Sequence, residues 1–212
     1  MLSRVILIID DNQNVESIYI PAYEDEIEKL KKEFPKWKDY NFVIIHKRTM
    51  KEALDYLYET GNVVDVLVVD FDFRGERTFT NGTSFVKHVR EHINRHCQIV
   101  FYTMQAITGI DKSELIDLIN SDVYQFVDKS SDNAIMAKTI FDAATMRNPI
   151  VESLERFMNE YQHMLSTYEY SIDGTDMSFE EMINHIRMDD DVGRSFVEKL
   201  LHKGILLSTD MG

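Results

Sequence analysis

The sequence predicts an α/β fold: a doubly wound parallel sheet of five strands, followed by a small, mainly helical C-terminal region. Two observations predict it. Five short runs are continuously apolar and rich in β-branched residues, as in strands covered on both faces: residues 5–9, 42–45, 64–69, 99–102 and 123–127. Helical patterns alternate with these runs as far as about residue 147, the order of a βα-repeating domain.

Start and stop signals place the helices between the strands. Thr49 and Glu52 form a capping box, and Gly61 ends the helix that they begin. Further helices are predicted over residues 84–94, 111–119 and 132–146, with a turn at residues 81–82. In such folds the functional site lies at the carboxyl ends of the strands, so the chemistry should be sought there.

Composition restricts the class of protein. The 212 residues carry a formal net charge of -14, which disfavours binding to a phosphate backbone. The single cysteine, Cys97, excludes an internal disulfide and a cysteine-rich metal site, and this predicts a reducing cytoplasm. No apolar run reaches the roughly 18 residues of a membrane span, so we expect neither a membrane partner nor a nucleic-acid partner.

The charge also divides the chain. Residues 1–149 hold 18 Lys and Arg against 24 Asp and Glu, whereas residues 150–212 hold 5 against 13. Asn148 is a suitable cap and Pro149 suits the first position of a helix. We therefore predict one domain over residues 1–148 and an acidic helical region over residues 149–212, for output or dimerisation.

Polar side chains stand where four of the predicted strands end. Asp10 and Asp11 follow the first strand, Asp70 ends the third, Thr103 the fourth and Lys129 the fifth. Carboxylates gathered in one crevice repel each other, and a hard divalent cation such as Mg²⁺ relieves the repulsion. A lysine beside the cation can neutralise a phosphoryl group. The strand ends therefore predict a magnesium and phosphoryl site.

These residues stand in the motifs VILIIDDN, DVLVVDFDF, IVFYT and FVDKS. Together they resemble the receiver domain of response regulators, the CheY-like domain of two-component phosphorelay systems, over about residues 3–147. The resemblance implies that Asp70 accepts a phosphoryl group from a histidine kinase or a histidine phosphotransfer protein. It also implies that Asp10, Asp11, Asp70 and the carbonyl of Phe71 hold Mg²⁺.

The same resemblance assigns the remaining site residues. Lys129 would pair with Asp70 and then with a phosphoryl oxygen, and Thr103 would turn towards the phosphoryl group. Phe126, three residues before the lysine, occupies the aromatic switch position of the family. The receiver would then phosphorylate itself without a separate catalytic output domain, and whether it should be called an enzyme stays open.

The sequence departs from the family in three respects. Ser130 stands where the family usually has proline, which predicts a differently shaped fifth loop. Met104 replaces a small residue beside the phosphoryl pocket, which predicts slower attack by water. Extra residues lie between positions 11 and 42 and over positions 74–79. These insertions are either specificity elements for a partner or neutral surface loops.

The acidic region begins with a helix whose apolar residues follow heptad spacing: Val151, Leu154, Met158, Tyr161, Leu165 and Tyr168. This stripe either packs within the chain or forms a homodimer through residues 150–169. A second helix follows a capping box from Ser178 to Glu181. A third begins at residues 189–191 and is expected to end at Gly204, before a strand-like run over residues 205–207.

The output of such a chain is predicted to be a protein contact. The third helix of the acidic region offers few basic residues against four acids, so DNA binding is rejected. We expect a response regulator that signals to an unknown protein target. The alternative is a phosphoryl sink or shuttle, in which capturing phosphate is the whole task. A degenerate scaffold is disfavoured, because all five strand-end positions match the family.

Overall fold

The computed structural model describes residues 2–60, 63–71, 79, 81–95, 97–104, 112, 113, 116, 119, 123–146, 149–161, 170–172, 174–188 and 190–209. The chain forms two compact units, Met1–Met146 and Arg147–Gly212. The division falls just before the boundary predicted at residue 148. Within the described part, no helix is both long and apolar enough to cross a membrane.

The first unit is built on one parallel sheet, as predicted. Its order is β2-β1-β3-β4-β5, and every neighbouring pair is parallel. The five strands are β1 (Leu2–Ile9), β2 (Tyr40–Lys47), β3 (Val64–Asp70), β4 (Gln98–Thr103) and β5 (Val123–Asp128). The predicted fold class is therefore confirmed.

Four α-helices of this unit are described: α1 (Ile20–Glu33), α2 (Met50–Thr60), α3 (Gly82–His92) and α4 (Asn133–Thr145). A π-helix, Val15–Tyr19, precedes α1, and a 3₁₀ turn, Pro35–Trp37, follows it. Both occupy the first predicted insertion. The helix expected over residues 111–119 and the insertion over residues 74–79 lie largely outside the described residues.

The apolar runs form strands because helices cover both faces of the sheet. In β1, Ile6 and Ile8 pack into the layer that contains α1 and α4. Leu7 and Ile9 point the other way, into the layer that contains α2 and α3. All four are at most 2% exposed. Successive side chains of a strand alternate between faces, so a strand with no exposed face reads as continuously apolar.

The start of α3 differs from the prediction. We expected a turn at residues 81–82, but Gly82 is already the first residue of the helix. Asn81 caps it, since its side-chain oxygen accepts a hydrogen bond from the Ser84 amide at 2.9 Å. A Cβ on Gly82 would lie 2.8 Å from the carbonyl oxygen of Asp70. Glycine is needed here because α3 begins directly against the end of β3.

The second unit consists of three helices and a hairpin. The helices are α5 (Pro149–Glu160), α6 (Phe179–Met188) and α7 (Asp191–Thr209), and the hairpin pairs β6 (Tyr170–Ile172) with β7 (Thr175–Met177). The sequence analysis did not predict the hairpin, although Gly174 marks its turn with a φ of 87°. The predicted capping box is present, with Ser178 N to Glu181 Oε2 at 2.7 Å.

The core of the second unit is small. Its buried apolar residues are Val151, Met177, Phe179, Met182, Ile183 and Ile186. Val151 is 4% exposed, and Leu154 packs against the same cluster. The start of the predicted heptad stripe therefore packs within its own unit. Leu165, Tyr168 and the side chain of Met158 lie outside the described residues.

The predicted end of α7 is wrong. We expected Gly204 to end the helix and residues 205–207 to form a strand, but the helix continues to Thr209. A glycine within a helix costs only about 1 kcal/mol relative to alanine, and it ends a helix only where the chain adopts positive φ. The only glycine with positive φ among the described residues is Gly174, so the apolar residues after Gly204 continue the helix.

Candidate acidic site at the carboxyl edge of the sheet

Three carboxylates meet where β1 and β3 end side by side. Asp10 directly follows β1, and Asp70 is the last residue of β3. These two side chains are buried, while Asp11 is exposed. One oxygen from each carboxylate lies within 4.8 Å of the other two. Parallel strands bring their carboxyl ends to one edge, and for this reason residues 60 positions apart in sequence share a site.

Lys129 brings a positive charge to these acids from the residue after β5. Its amide donates to the carbonyl oxygen of Thr103 at 2.9 Å, which fixes the backbone. Its ammonium nitrogen lies 2.5 Å from Asp70 Oδ2 and 3.3 Å from Asp10 Oδ2. Burial opposes the charge, but the hydrogen bond to Asp70 and the charges of both acids outweigh it and raise the pKa of Lys129. The side chain is therefore an ammonium.

The loop after β5 holds its shape without the family's proline. The Ser130 amide and hydroxyl both donate to Asp128 Oδ1, at 2.8 and 2.7 Å. These hydrogen bonds lower the pKa of Asp128. The residue after Lys129 thus anchors the loop to β5 through a side chain, and the lysine still reaches Asp70.

Tyr102 is a site residue that the sequence analysis missed. It lies in β4, is 8% exposed, and its hydroxyl donates to Asp10 Oδ2. Its ring faces the Lys129 ammonium, with 4.6 Å from Nζ to the ring centroid. Burial, and then the negative charge of Asp10, raise the pKa of Tyr102 well above its ordinary value. The sequence signal that could have identified this residue is a tyrosine within a buried strand, because a buried hydroxyl needs a hydrogen-bond partner.

The backbone of Asp10 is held from the other side by His46 of β2. Its Nε2 lies 2.7 Å from the Asp10 carbonyl oxygen and therefore carries the hydrogen. Its Nδ1 lies 3.2 Å from a Glu16 carboxylate oxygen in the π-helix. π-helical turns are frequent at functional sites. Part of the first predicted insertion thus supports the end of β1.

A cavity of about 220 Å³ opens beside Asp10 and Lys129. Tyr19 and Tyr23 line it, as does Met104, which is 79% exposed. Burial raises the pKa of Tyr23 to about 12, with smaller contributions from Tyr19 and Asp10. The phenol therefore stays protonated beside the acids. The predicted effect of Met104 on attack by water remains a prediction.

No protein-family model and no curated protein matches the sequence. Solved structures that resemble it include a response regulator receiver protein from Pseudomonas putida, at 15% identity over 67% of this chain and 98% of that one, with a TM-score of 0.49. A putative response regulator from Chloroflexus aurantiacus has 18% identity over 68% and 99%, with a TM-score of 0.49. A response regulator from Thermotoga maritima has 16% identity over 68% and 100%, with a TM-score of 0.47.

The first unit has the receiver fold. Its strand order and uniformly parallel pairing are those of the flavodoxin-like sheets. The predicted resemblance is therefore confirmed at the level of the fold. At these identities the comparisons concern the fold alone, and the function of this unit follows from the residues of its site.

The predicted switch residues lie on the two strands beyond the acids. Thr103 ends β4 and is 3% exposed. The Phe126 ring of β5 is half-buried and stacks on Phe101, with 5.5 Å between centroids. It also meets the edge of Phe71 at 6.2 Å. In this structure Phe126 belongs to the layer that contains α2 and α3.

The acidic cluster fits a hard divalent cation. All three side chains offer only carboxylate oxygens, the ligands that Mg²⁺ prefers, and the site lacks the imidazole and thiolate ligands typical of zinc among the described residues. The three acids carry three negative charges against the single charge of Lys129, so a cation would relieve the repulsion that remains. Because Asp11 is exposed, water can take its place as a ligand of such a cation.

Proposed function

We propose that the receiver unit is the phosphoryl-accepting part of a response regulator, with Asp70 as the nucleophile. The observation that supports this is the Lys129 ammonium, 2.5 Å from Asp70 Oδ2 in a cluster of three acids. A lysine in this position can pair with a carboxylate before transfer and with a phosphoryl oxygen afterwards. The donor is a phosphohistidine of a histidine kinase or a histidine phosphotransfer protein.

The proposed step is a displacement at phosphorus. A carboxylate oxygen of Asp70 attacks the phosphorus, a phosphorus–oxygen bond forms, and the phosphorus–nitrogen bond of the donor breaks. The bonding pair returns to the histidine nitrogen, which takes its proton from solvent. Lys129 stays beside the new acyl phosphate and offsets its charge, while Thr103 donates a hydrogen bond to a phosphoryl oxygen. Phe126 then adjusts to the moved threonine.

Asp11 and Asp70, with Asp10 and the Phe71 carbonyl, are the groups that would hold Mg²⁺. When bound, the cation supplies positive charge to the phosphoryl oxygens. Asp10 is already engaged by Tyr102 and by the Asn12 amide at 2.8 Å from Oδ1. Its contribution is therefore to orient the cluster, and Asp11 remains the carboxylate most open to solvent.

The test is to replace Asp70 and a neighbouring acid. Asp70→Asn should abolish the incorporation of acid-labile phosphate from a small phosphodonor in the presence of Mg²⁺. Asp72→Asn, which removes the same charge two positions away, should incorporate phosphate like the wild type. Incorporation that survives in Asp70→Asn, or that is lost equally in both variants, would show that Asp70 is not the acceptor.

We also propose that the second unit acts through protein contacts and not through DNA, with a homodimer through residues 150–169. Residues 150–212 carry 5 basic against 13 acidic side chains, which repels a duplex. Phe157 of α5 is 47% exposed, and Tyr161, the residue after α5, is 37% exposed. Their ring centroids lie 4.8 Å apart. This aromatic pair is a surface that a second copy can cover.

Light scattering tests the dimer. Phosphorylation should raise the mass of the wild type towards that of a dimer, and Phe157→Glu should keep it at that of a monomer. Glu160→Gln, beside the pair, serves as the control and should behave like the wild type. An unchanged mass with and without phosphate would exclude the dimer and favour the sink or shuttle. Salt-sensitive binding of a DNA duplex would contradict the proposed output.

A further inference from the structure

Two histidines of α3 meet a tyrosine of α2 at the surface of the first unit. His88 and His92 are four residues apart and therefore lie on the same face of their helix, one turn from each other. Their rings stack with 4.6 Å between centroids. The Tyr58 hydroxyl lies 3.2 Å from His88 Nε2. Three side chains that can each offer an electron pair are gathered here, and none of them belongs to the acidic cluster.

The backbone of α3 fixes which nitrogen of His92 carries the lone pair. Its Nδ1 lies 3.1 Å from the His88 carbonyl oxygen, and because a carbonyl only accepts, Nδ1 carries the hydrogen. In the neutral ring the lone pair is then on Nε2. The side chain is exposed, so an ion can reach this nitrogen. Proteins orient metal-binding histidines by such a hydrogen bond from the second ring nitrogen, and His92 is oriented in the same way.

The His88 ring is half-buried and is held by three neighbours. Phe79 lies 5.5 Å from it between ring centroids, His92 stacks on it, and Tyr58 contacts its Nε2. Phe79 is itself held, since its ring meets the buried Phe85 ring edge to face at 5.2 Å. The His88 ring therefore has little conformational freedom left to lose when it binds an ion, which favours binding.

The distances suit an ion of the zinc class. Zinc lies about 2.1 Å from its nitrogen and oxygen ligands. At that bond length, donors 3.2 Å apart, such as His88 Nε2 and Tyr58 Oη, subtend about 100° at the ion, close to the tetrahedral angle of about 109°. Tyr58 is 57% exposed, so its phenol can turn by the small amount that admits the ion. Imidazole suits such metals, whereas Mg²⁺ prefers carboxylates.

The guanidinium of Arg90 is turned away from the two histidines. Arg90 stands two residues from each of them and therefore on the other side of the helix. It donates to the Arg95 carbonyl and lies 3.9 Å from Cys97 Sγ. The chain as a whole carries a net charge of -14, which attracts cations to its surface.

We propose that His88, His92 and Tyr58 form a binding site for a divalent transition-metal ion of the zinc class, separate from the Mg²⁺ ligands at the strand ends. The two Nε2 atoms and the tyrosine oxygen are its protein ligands, and water takes the fourth position. The ion joins α2 to α3. Because the site exists only in the folded unit, binding stabilises that unit. This proposal does not depend on phosphorylation of Asp70.

Calorimetric titration of the full chain with Zn²⁺ tests the site, with Mg²⁺ in excess to occupy the acidic cluster. The wild type should bind Zn²⁺. His88→Gln and His92→Gln should each weaken the affinity by at least about tenfold, because each removes a ligand. Tyr58→Phe, which keeps the ring, should also weaken it. His202→Gln removes an exposed imidazole from α7 and is the matched control, so its affinity should equal that of the wild type.

Four results would refute the site. They are a wild type that does not bind Zn²⁺, an affinity that either histidine variant leaves unchanged, an affinity unchanged in Tyr58→Phe, and an affinity that is lost in Asp11→Asn, which would place the ion at the acidic cluster. Urea unfolding followed by Trp37 fluorescence gives a second measurement. Zn²⁺ should raise the midpoint of the wild type and leave that of His92→Gln unchanged. An equal rise in both would contradict the proposal.

Discussion

The two units of this chain place their polar groups differently. Every buried polar or charged residue among those described belongs to the first unit: Arg4, Asp10, Asp70, Thr83, Asn94, Thr103 and Thr139. In the second unit the described acids instead serve as helix caps, such as Glu181 to the Ser178 amide and Asp190 to the Gly193 amide. Buried polarity therefore marks the unit that contains the candidate site, and exposed polarity marks the unit in which charge stabilises local structure.

The largest expected effect is a loss of stability at one of the two glycines of α7, Gly193, and not at the other, Gly204. A Cβ on Gly193 would lie 2.2 Å from the His185 carbonyl oxygen, so Gly193→Ala must push α7 away from α6. We expect it to destabilise the second unit by about 3 kcal/mol. Trp37 is the single tryptophan and lies in the first unit, so its fluorescence transition should stay unchanged. Far-UV circular dichroism should show a new, earlier unfolding phase.

Gly204→Ala is the control in the same helix. A Cβ at this exposed position would meet nothing within 4 Å. Alanine favours the helix over glycine, so this variant should stabilise α7 by about 1 kcal/mol. If both substitutions change the early phase by the same amount and sign, close packing of α6 on α7 is not what stabilises the second unit.

The second prediction concerns the charge cluster of the first unit. Asp11→Asn should weaken Mg²⁺ binding by at least about tenfold, because it removes the most exposed ligand. Without metal the same variant should be about 0.5 kcal/mol more stable, since one of three repelling charges is gone. Titration calorimetry and urea unfolding followed by Trp37 fluorescence measure the two effects.

Asp55→Asn serves as its control, because it removes an equal charge from the exposed face of α2. It should change neither the Mg²⁺ affinity nor the stability by a measurable amount. Unaltered Mg²⁺ binding in Asp11→Asn would exclude this carboxylate as a ligand. A loss of stability without metal would show that the acids do not repel one another.

The smallest expected effects are losses of stability with pH, one in acid and the other in alkali. Burial would raise the pKa of Asp190, but hydrogen bonds from Gly193 and His185 outweigh it and lower that pKa from 3.8. The backbone and hydroxyl of Ser178 lower the pKa of Glu181 from 4.5. Their stabilisation is present above these values and is lost as the pH falls through the lowered ones. The loss that comes from Asp190, which is partly exposed, should stay below about 1 kcal/mol.

Lys129 behaves in the opposite way. Its pKa is raised above 10.5, so its stabilisation of the first unit is present below pH 10.5 and is lost as the pH rises through the raised value. Alkali should therefore weaken the Trp37 phase more than the circular dichroism phase of the second unit, whereas acid acts on both units, since the pKa of Asp128 in the first unit is also lowered. A Trp37 transition that alkali leaves unchanged would contradict this role of Lys129.

Local pattern was sufficient to predict the strands and the residues at their ends. A strand covered on both faces must be apolar throughout, so each polar residue that follows one is conspicuous, as Asp70 is after Val69. The receiver order then places those ends on one edge. This is why Asp10, Asp70 and Lys129 could be grouped before any distance was known.

The features that were missed depend on distant neighbours. The partner of Tyr102 is 92 residues away, and no local pattern identifies it. The need for glycine at position 82 depends on how close α3 lies to the Asp70 carbonyl. At Gly204 the error was local: a glycine after an apolar helix was interpreted as a cap, but the chain keeps helical geometry there.

The order in which the site residues are synthesised has a consequence for the growing chain. Asp10 and Asp70 are made early, whereas Lys129, 59 residues after Asp70, completes the site only when β5 has been made and docked. Before β5 docks, Lys129 cannot stand beside the carboxylates that end β1 and β3. The proposed acceptor Asp70 therefore gains its ammonium only after the last strand of the sheet has left the exit tunnel of the ribosome.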